Sequence, residues 1–340
     1  MFQKIVIGFA TLLCTLSAQA QIRVVNYNIA KCIGNQEALD QVVDAASLDD
    51  SQGDAYPVSV FVFQEVSQGK EKVLHPMLGE VYSMGTYTNR NESTGRAESG
   101  GAQAMFYNSQ QFEEVDDSHK DIFTGATRYA DRWELKGIGE NDGISLWVYS
   151  MHLKASKGSE NKEQRKFGAS AILEDIATLP ENANVIVCGD MNFYTVREPA
   201  YQAFVEALID PLGTEEWSGE DDAMKHTQSP RKIRASKGEP GSGLIHGGLD
   251  DRFDFQFISK SLDDGKGLDI IDGSYRAMGN DGKHYDIAIN DGENSYFPTD
   301  TERSNELATA LHEASDHIPV IVDYDVVKQE SAETPVTTTE

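Results

Sequence analysis

The chain has 340 residues and is strongly acidic: 29 Lys and Arg against 56 Asp and Glu give a formal net charge of −27. Such a surface keeps a protein soluble and repels nucleic acid and anionic lipid in general, which argues against tight non-specific DNA binding. It does not exclude a nuclease, because a metal and a local basic patch offset the field at a site.

Met1–Lys4 carry a small positive end, Ile5–Leu16 an apolar stretch too short to span a bilayer, and Ala18-Gln19-Ala20 the small-x-small pattern that a signal peptidase reads. The expectation is a signal peptide over 1–20 with cleavage near Ala20, and export to the periplasm or outside the cell. Cys14 is a poor lipid anchor, since Leu13 precedes it where a small residue is expected. No later run is long and apolar enough to span a membrane. Cys32 and Cys188 then remain, too few for a disulfide scaffold; Cys188, inside an apolar strand, reads as a small buried hydrophobe, and pairing with Cys32 is left open.

Ile22–Ile29 reads as a strand with a β-branched start and a polar end, and Gln36–Leu48 as an amphipathic helix. Val58–Val66 is nearly all apolar and predicts a strand buried on both faces. The Gly-, Ser-, Thr- and Asn-rich residues 85–101 predict a surface loop before a strand at Ala102–Tyr107. Asn141-Asp142-Gly143 turns into a strand at Ile144–Met151. Asn161–Leu179 predicts a helix with Lys162, Arg165, Lys166 and Glu174 on its polar face and Phe167, Ala171, Ile172 and Ile176 on its apolar face. A strand at Ala183–Cys188, a short helix at Pro199–Ala207, a strand at Phe253–Ile258 and a last strand at Ile318–Tyr324 follow. Residues 213–250 and 272–313 read as long loops, and the Pro/Thr-rich tail 328–340 as disordered. The alternation predicts an α/β or α+β sandwich, with mixed sheets face to face and helices outside, as one domain over 21–327.

The informative feature is where polar residues sit. Apolar strands end in Asn28, in Gln64-Glu65, in His152 and in Asp190-Met191-Asn192; Asp316-His317 precedes the last strand; and Asp254 lies inside Arg252-Phe253-Asp254-Phe255-Gln256-Phe257. A carboxylate within such a run needs a partner or a function, because burying a lone charge is costly. Each feature alone has an ordinary reading as a turn or a cap. Together they converge on one rim of a sandwich.

The set Tyr27-Asn28-Ile29, Phe63-Gln64-Glu65-Val66, Met151-His152-Leu153-Lys154-Ala155, Cys188-Gly189-Asp190-Met191-Asn192, Asp251-Arg252-Phe253-Asp254 and Ala314-Ser315-Asp316-His317-Ile318-Pro319-Val320 resembles the endonuclease/exonuclease/phosphatase superfamily, in the family's order along the chain. The resemblance implies a four-layer α/β sandwich and a metal-dependent phosphoesterase. It implies Glu65 as Mg²⁺ ligand, with Asn28 and Asp316 assisting; hard oxygen ligands suit that ion, with Mn²⁺ or Ca²⁺ as alternatives. It implies His317 as the catalytic histidine held by Asp254, Asp190 as the residue that positions or deprotonates water, Asn192 as donor to a phosphoryl oxygen, and His152 as a second histidine near phosphate or leaving group. His152 favours the deoxyribonuclease-I-like and sphingomyelinase-like branches.

Weaker candidates are Arg128 near the phosphate, Glu98 as an orienter of His152, Lys154 and Lys157 beside the site, and the basic run Arg231-Lys232-Ile233-Arg234 as a nucleic-acid contact. His226, His246, His284 and His312 have no motif context. The expected function is a secreted nuclease acting on DNA or RNA. The alternative is an esterase on small or lipid phosphate esters, for which Ser295-Tyr296-Phe297-Pro298 is the one lipid-gripping candidate. A non-catalytic binding protein ranks last, because Glu65, Asp190 and His317 are all chemically competent.

Overall fold

The structure, a computed structural model, describes residues 21–90, 98, 100–125 and 128–327. The expected signal peptide and the tail 328–340 lie outside the described residues, as does part of the loop 85–101.

In chain order the elements are β1 (Gln21–Asn28), α1 (Gln36–Leu48), β2 (Val60–Val66), α2 (Glu71–Leu78), β3 (Tyr82–Met84), β4 (Ala102–Asn108), β5 (Phe112–Glu114), β6 (Lys120–Phe123) and β7 (Tyr129–Gly137). Then come β8 (Ser145–His152), α3 (Ser159–Ile176), β9 (Asn184–Asp190), α4 (Pro199–Ala207), β10 (Asp254–Ile258), β11 (Gly267–Ile270), β12 (Arg276–Ala277), α5 (Thr301–Ala314) and β13 (Val320–Val327). One sheet runs β11-β13-β1-β2-β4-β3 with β12 on β13; the other runs β10-β9-β8-β7-β5 with β6 on β7. Both are mixed, with β1–β2 and β8–β9 parallel and the other pairs antiparallel.

Alternation along the strands divides the apolar residues into three cores. Val24, Val60, Val62 and Met105 of the first sheet face Trp133, Leu146, Val148 and Ile186 of the second. The opposite face of the first sheet, with Val25, Phe61 and Phe63, takes Leu39 and Val42 of α1 and Leu307 and Leu311 of α5. The outer face of the second, with Tyr149, Val187 and Phe255, takes Ala169 and Ile172 of α3 and Tyr201 and Phe204 of α4. Helices thus cover both outer faces of a two-sheet sandwich, the layering expected for a sheet that buries both sides.

Three expectations are corrected, and the open question of the cysteine pairing is answered. In α3, Arg165 is fully buried and Phe167 is 51 % exposed, so these two exchange faces, while Lys166 and Glu174 are exposed and Ile172 is buried as expected. Residues 301–314 are helix rather than loop: Asp300 caps α5 by accepting from the Arg303 N–H, and its buried face of Ser304, Ala308 and Ala310 disguised the periodicity. Tyr296 and Phe297 point inward, with the Tyr296 hydroxyl donating to Asp49 at 2.7 Å, so they offer lipid no grip. Cys32 and Cys188 are both free and buried in different cores. Among the described residues no helix is long and apolar enough to cross a membrane.

Candidate active site

Register explains why scattered motifs meet. The parallel pair β1–β2 sets Asn28 beside Gln64, and the parallel pair β8–β9 sets His152 beside Asp190. Antiparallel β10 begins with Asp254 opposite Asp190, and antiparallel β13 sets Val320 opposite Asn26, so His317 lies just beyond the end of β1. Asn28, Glu65, His152, Asp190, Asn192, Asp254, Asp316 and His317 therefore gather on one rim, and only Glu65 among them is not fully buried.

Asp190 is the hub. Its Oδ1 accepts from the Asn192 backbone N–H at 3.1 Å and amide Nδ2 at 2.8 Å. Its Oδ2 lies 3.1 Å from Asn28 Nδ2, 3.1 Å from His152 Nε2 and 3.7 Å from His317 Nε2. Asn192 sits at φ +52°, a left-handed conformation that Asn tolerates, and this curls its amide back onto Asp190. Its second amide contact is Leu153 O at 3.4 Å, so in this state Asn192 orients Asp190. Gly189 (φ +128°) has no room for a side chain: a Cβ there would land on the Met151 carbonyl.

His317 Nδ1 is 2.7 Å from Asp254 Oδ2, and Asp254 in turn has its backbone N–H bound to Thr227 Oγ1. Burial disfavours the imidazolium, but the carboxylates of Asp254 and Asp190 overcome this and push His317 up to about 10. Burial raises the Asp190 carboxyl, against the downward pull of the His317 charge. His152 is held well below its ordinary value, first by burial and then by the positive charges of Arg128, His317 and Lys31, so its ring is neutral. With Nε2 donating to Asp190, its Nδ1 is a buried lone pair 3.6 Å from Glu65 Oε1.

Glu65 is reached through a β-bulge. The β2–β4 register breaks between Phe63 and Val66, and Glu65 takes φ +59°, which turns its carboxylate out of the ladder toward the rim. Gly101 makes room, since a Cβ there would stand 2.6 Å from the Glu65 Cα. Burial raises the Glu65 carboxyl; Arg128, His317 and Lys31 oppose that, and Asp316 reinforces it. Asp316 Oδ2 accepts from the Ile245 N–H at 3.0 Å, and its charge acts on both Glu65 and His317.

Of the weaker candidates, Arg128 lies at the rim, donating to Leu153 O at 3.2 Å while its buried Nε has no partner among the described residues. Glu98 accepts from the Tyr129 N–H at 3.0 Å rather than orienting His152, and burial pushes it up to about 7. Lys154 donates to Ala155 O, and Lys157 stands over the Tyr194 ring at 5.0 Å. In the basic run Arg231 is buried against the His312 carbonyl, while Lys232, Ile233 and Arg234 are exposed and Lys232 pairs with Asp286.

Sequence reasoning missed the supports. Arg165 of α3 binds Glu198 with two bonds, 2.7 and 2.9 Å, and also donates to Lys154 O at 2.7 Å and Ser156 O at 3.0 Å. This pins the segment leaving His152. Glu198 also accepts from the Tyr194 N–H, which pins the segment leaving Asn192. Between the sheets, Gln64 Nε2 donates to Ser150 Oγ and Ser150 to Gln103 Oε1, while Gln256 Nε2 reaches the Val24 and Val320 carbonyls. A Gln within an apolar strand, as in Ala102-Gln103-Ala104, was the available signal. Arg165 gave none, because a helical Arg reads as solvated.

No family model matches the sequence, and no curated protein matches it. Solved structures do. An endonuclease/exonuclease/phosphatase family protein from Bacteroides thetaiotaomicron superposes with TM-score 0.56 at 16 % identity, over 91 % of this chain and 98 % of that one. The fold is that of the endonuclease/exonuclease/phosphatase proteins. D. rerio TDP2 complexed with single-strand DNA product aligns at TM-score 0.56 and 14 % identity over 90 % of this chain and 99 % of that one. The human Nocturnin catalytic domain with bound sulfate aligns at 0.51 and 18 % over 90 % and 94 %. At these identities the likeness establishes the endonuclease/exonuclease/phosphatase fold.

Proposed function

We propose that the chain is an exported, divalent-metal-dependent phosphoesterase that hydrolyses phosphodiester bonds of DNA or RNA. The observation that carries this reading is the Asp254–His317–Asp190 line of charges, with Asn28, His152 and Asn192 all aimed at one carboxylate. A phosphoryl centre in transition demands such a cluster: a base for water, donors for developing charge and a cation.

The donor set fits Mg²⁺: the Glu65 carboxylate, the second Asp316 oxygen and the Asn28 carbonyl are hard oxygens, and Glu65 is raised toward protonation by burial beside Asp316, a cost that a cation removes. Bound there, the ion supplies charge neutralisation at phosphorus. The protein's own groups do the rest. Asp254 fixes the His317 ring by holding Nδ1, leaving Nε2–H to face the phosphoryl oxygen. Asp190, its carboxyl raised by burial, takes the proton of the attacking water. Arg128 adds a fixed positive charge at the rim. The single-strand DNA product in the D. rerio TDP2 structure supports a nucleic-acid substrate by analogy of fold. The excess of 56 acidic over 29 basic residues favours a second reading, a small phosphate ester.

The test is hydrolysis by purified protein of plasmid DNA, RNA, sphingomyelin and p-nitrophenyl phosphate in parallel, with Mg²⁺, Mn²⁺ or EDTA, and with His317→Ala as control. DNA or RNA cleavage that EDTA and the variant both abolish supports the nuclease reading. Cleavage of the small or lipid esters alone transfers the chemistry to the second reading, and no cleavage under any metal refutes the enzyme.

A further inference from the structure

A second convergence of ligating atoms lies on β6 and β7, apart from the rim residues. His119 Nε2 is 2.9 Å from Asp131 Oδ1 and 3.5 Å from Asp121 Oδ1. Thr88 Oγ1 is 2.5 Å from that same Asp121 oxygen and 3.3 Å from the Asp131 one. One ligand atom from each of His119, Asp121 and Asp131 falls within 4.8 Å of the others. The β6–β7 pairing holds Asp121 opposite Asp131, so the two carboxylates are brought together by strand register rather than by chance rotamers of exposed side chains.

The cluster is built rather than solvated. The Asp131 side chain is 1 % exposed, and its Oδ2 is buried with no hydrogen-bond partner among the described residues. A buried carboxylate oxygen without a donor costs on the scale of a lost charged hydrogen bond unless something cationic arrives. His119 packs on Trp133, centroids 5.6 Å apart, and Trp133 Nε1 donates to Thr86 O, which anchors the segment carrying Thr88.

We propose that His119, Asp121 and Asp131, with Thr88, form a second metal site, distinct from the rim, for a first-row divalent ion of the Zn²⁺ or Mn²⁺ kind. The imidazole nitrogen beside two carboxylates selects such ions over Mg²⁺, which prefers an all-oxygen set. Bound there, the ion ties the β6–β7 hairpin to the Thr86–Thr88 segment. Its role is structural, since its ligands come from paired strands and the adjoining segment. The competing arrangement is a protonated His119 bridging two carboxylates with no ion.

Zn²⁺ retention after gel filtration, by elemental analysis, and thermal melting with and without Zn²⁺ are measured on the protein, Asp121→Asn, His119→Gln and Glu65→Gln. The protein and Glu65→Gln retain Zn²⁺ and melt about 5 °C higher with it. Asp121→Asn and His119→Gln lose both effects, yet Asp121→Asn, relieved of one repelling charge, melts without metal no lower than the parent. Equal Zn²⁺ retention and equal melting rise in Asp121→Asn overturn the site. So does loss of both in Glu65→Gln, which would assign the ion to the rim. A metal-free Asp121→Asn that melts well below a zinc-insensitive parent establishes the ion-free bridge instead. No readout depends on hydrolysis, so failure of the phosphoesterase reading leaves this result standing.

Discussion

Replacing Arg165 with Leu should do more damage than any exposed charge on α3. The guanidinium and Glu198 are both fully buried and joined by bonds of 2.7 and 2.9 Å. Removing one partner strands the other as an uncompensated buried charge, which costs about 3–5 kcal/mol. The Lys154 and Ser156 carbonyls lose their donor as well, at about 1 kcal/mol each. We expect a loss of about 5–7 kcal/mol in urea unfolding followed by far-UV circular dichroism. Arg165→Leu/Glu198→Leu should recover about 2–3 kcal/mol relative to the sum of the single changes, because no lone charge is then left buried. Hydrolysis should stay low in the double variant at temperatures where it is folded, since the segment leaving His152 remains unpinned. A loss under about 1 kcal/mol for Arg165→Leu, or strict additivity in the double variant, would refute the reasoning.

Asp254→Asn keeps the shape but not the charge that holds His317, and kcat should fall about 10²- to 10³-fold with KM little changed; a rate within threefold of the parent would remove Asp254 from the mechanism. Gly101→Ala must displace Glu65, so the Mg²⁺ concentration for half-maximal hydrolysis should rise at least about tenfold while the melting temperature falls only modestly; an unchanged metal dependence would show that Glu65 is not the ligand. His312 is lowered to about 4, first by burial and then by the Arg231 charge. The unfolded chain thus binds this proton more readily, and the stabilisation present above about pH 6.5 is lost as pH falls through 4, by roughly 1–2 kcal/mol after allowance for partial exposure. His312→Gln should flatten that part of the pH–stability curve; an identical slope in both proteins would contradict it.

How much of this was legible in the sequence differs by element. The helix Gln36–Leu48 was readable because Asn35 caps it and its apolar residues recur at helical spacing, and Pro199–Ala207 because proline opens it. Strand β7 was overlooked although Trp133 and Leu135 alternate with Arg132, Glu134 and Lys136, a pattern plain only once its partners β6 and β8 are seen.

The sequence by itself determined which chemically capable residues stand at strand ends: Asn28, Glu65, His152, Asp190 and Asn192, with Asp316-His317 before a strand and Asp254 inside an apolar run. Strand ends are local properties, written in apolar runs and turn residues. Only the tertiary structure decided that these ends share one rim, because pairing between residues as distant as Asn28 and Asp190 depends on sheet order. It alone showed that Arg165 faces inward, that Tyr296 and Phe297 are buried, and that His119 meets Asp121 and Asp131. Burial and register are set by what packs opposite, and no window of neighbouring residues contains that information.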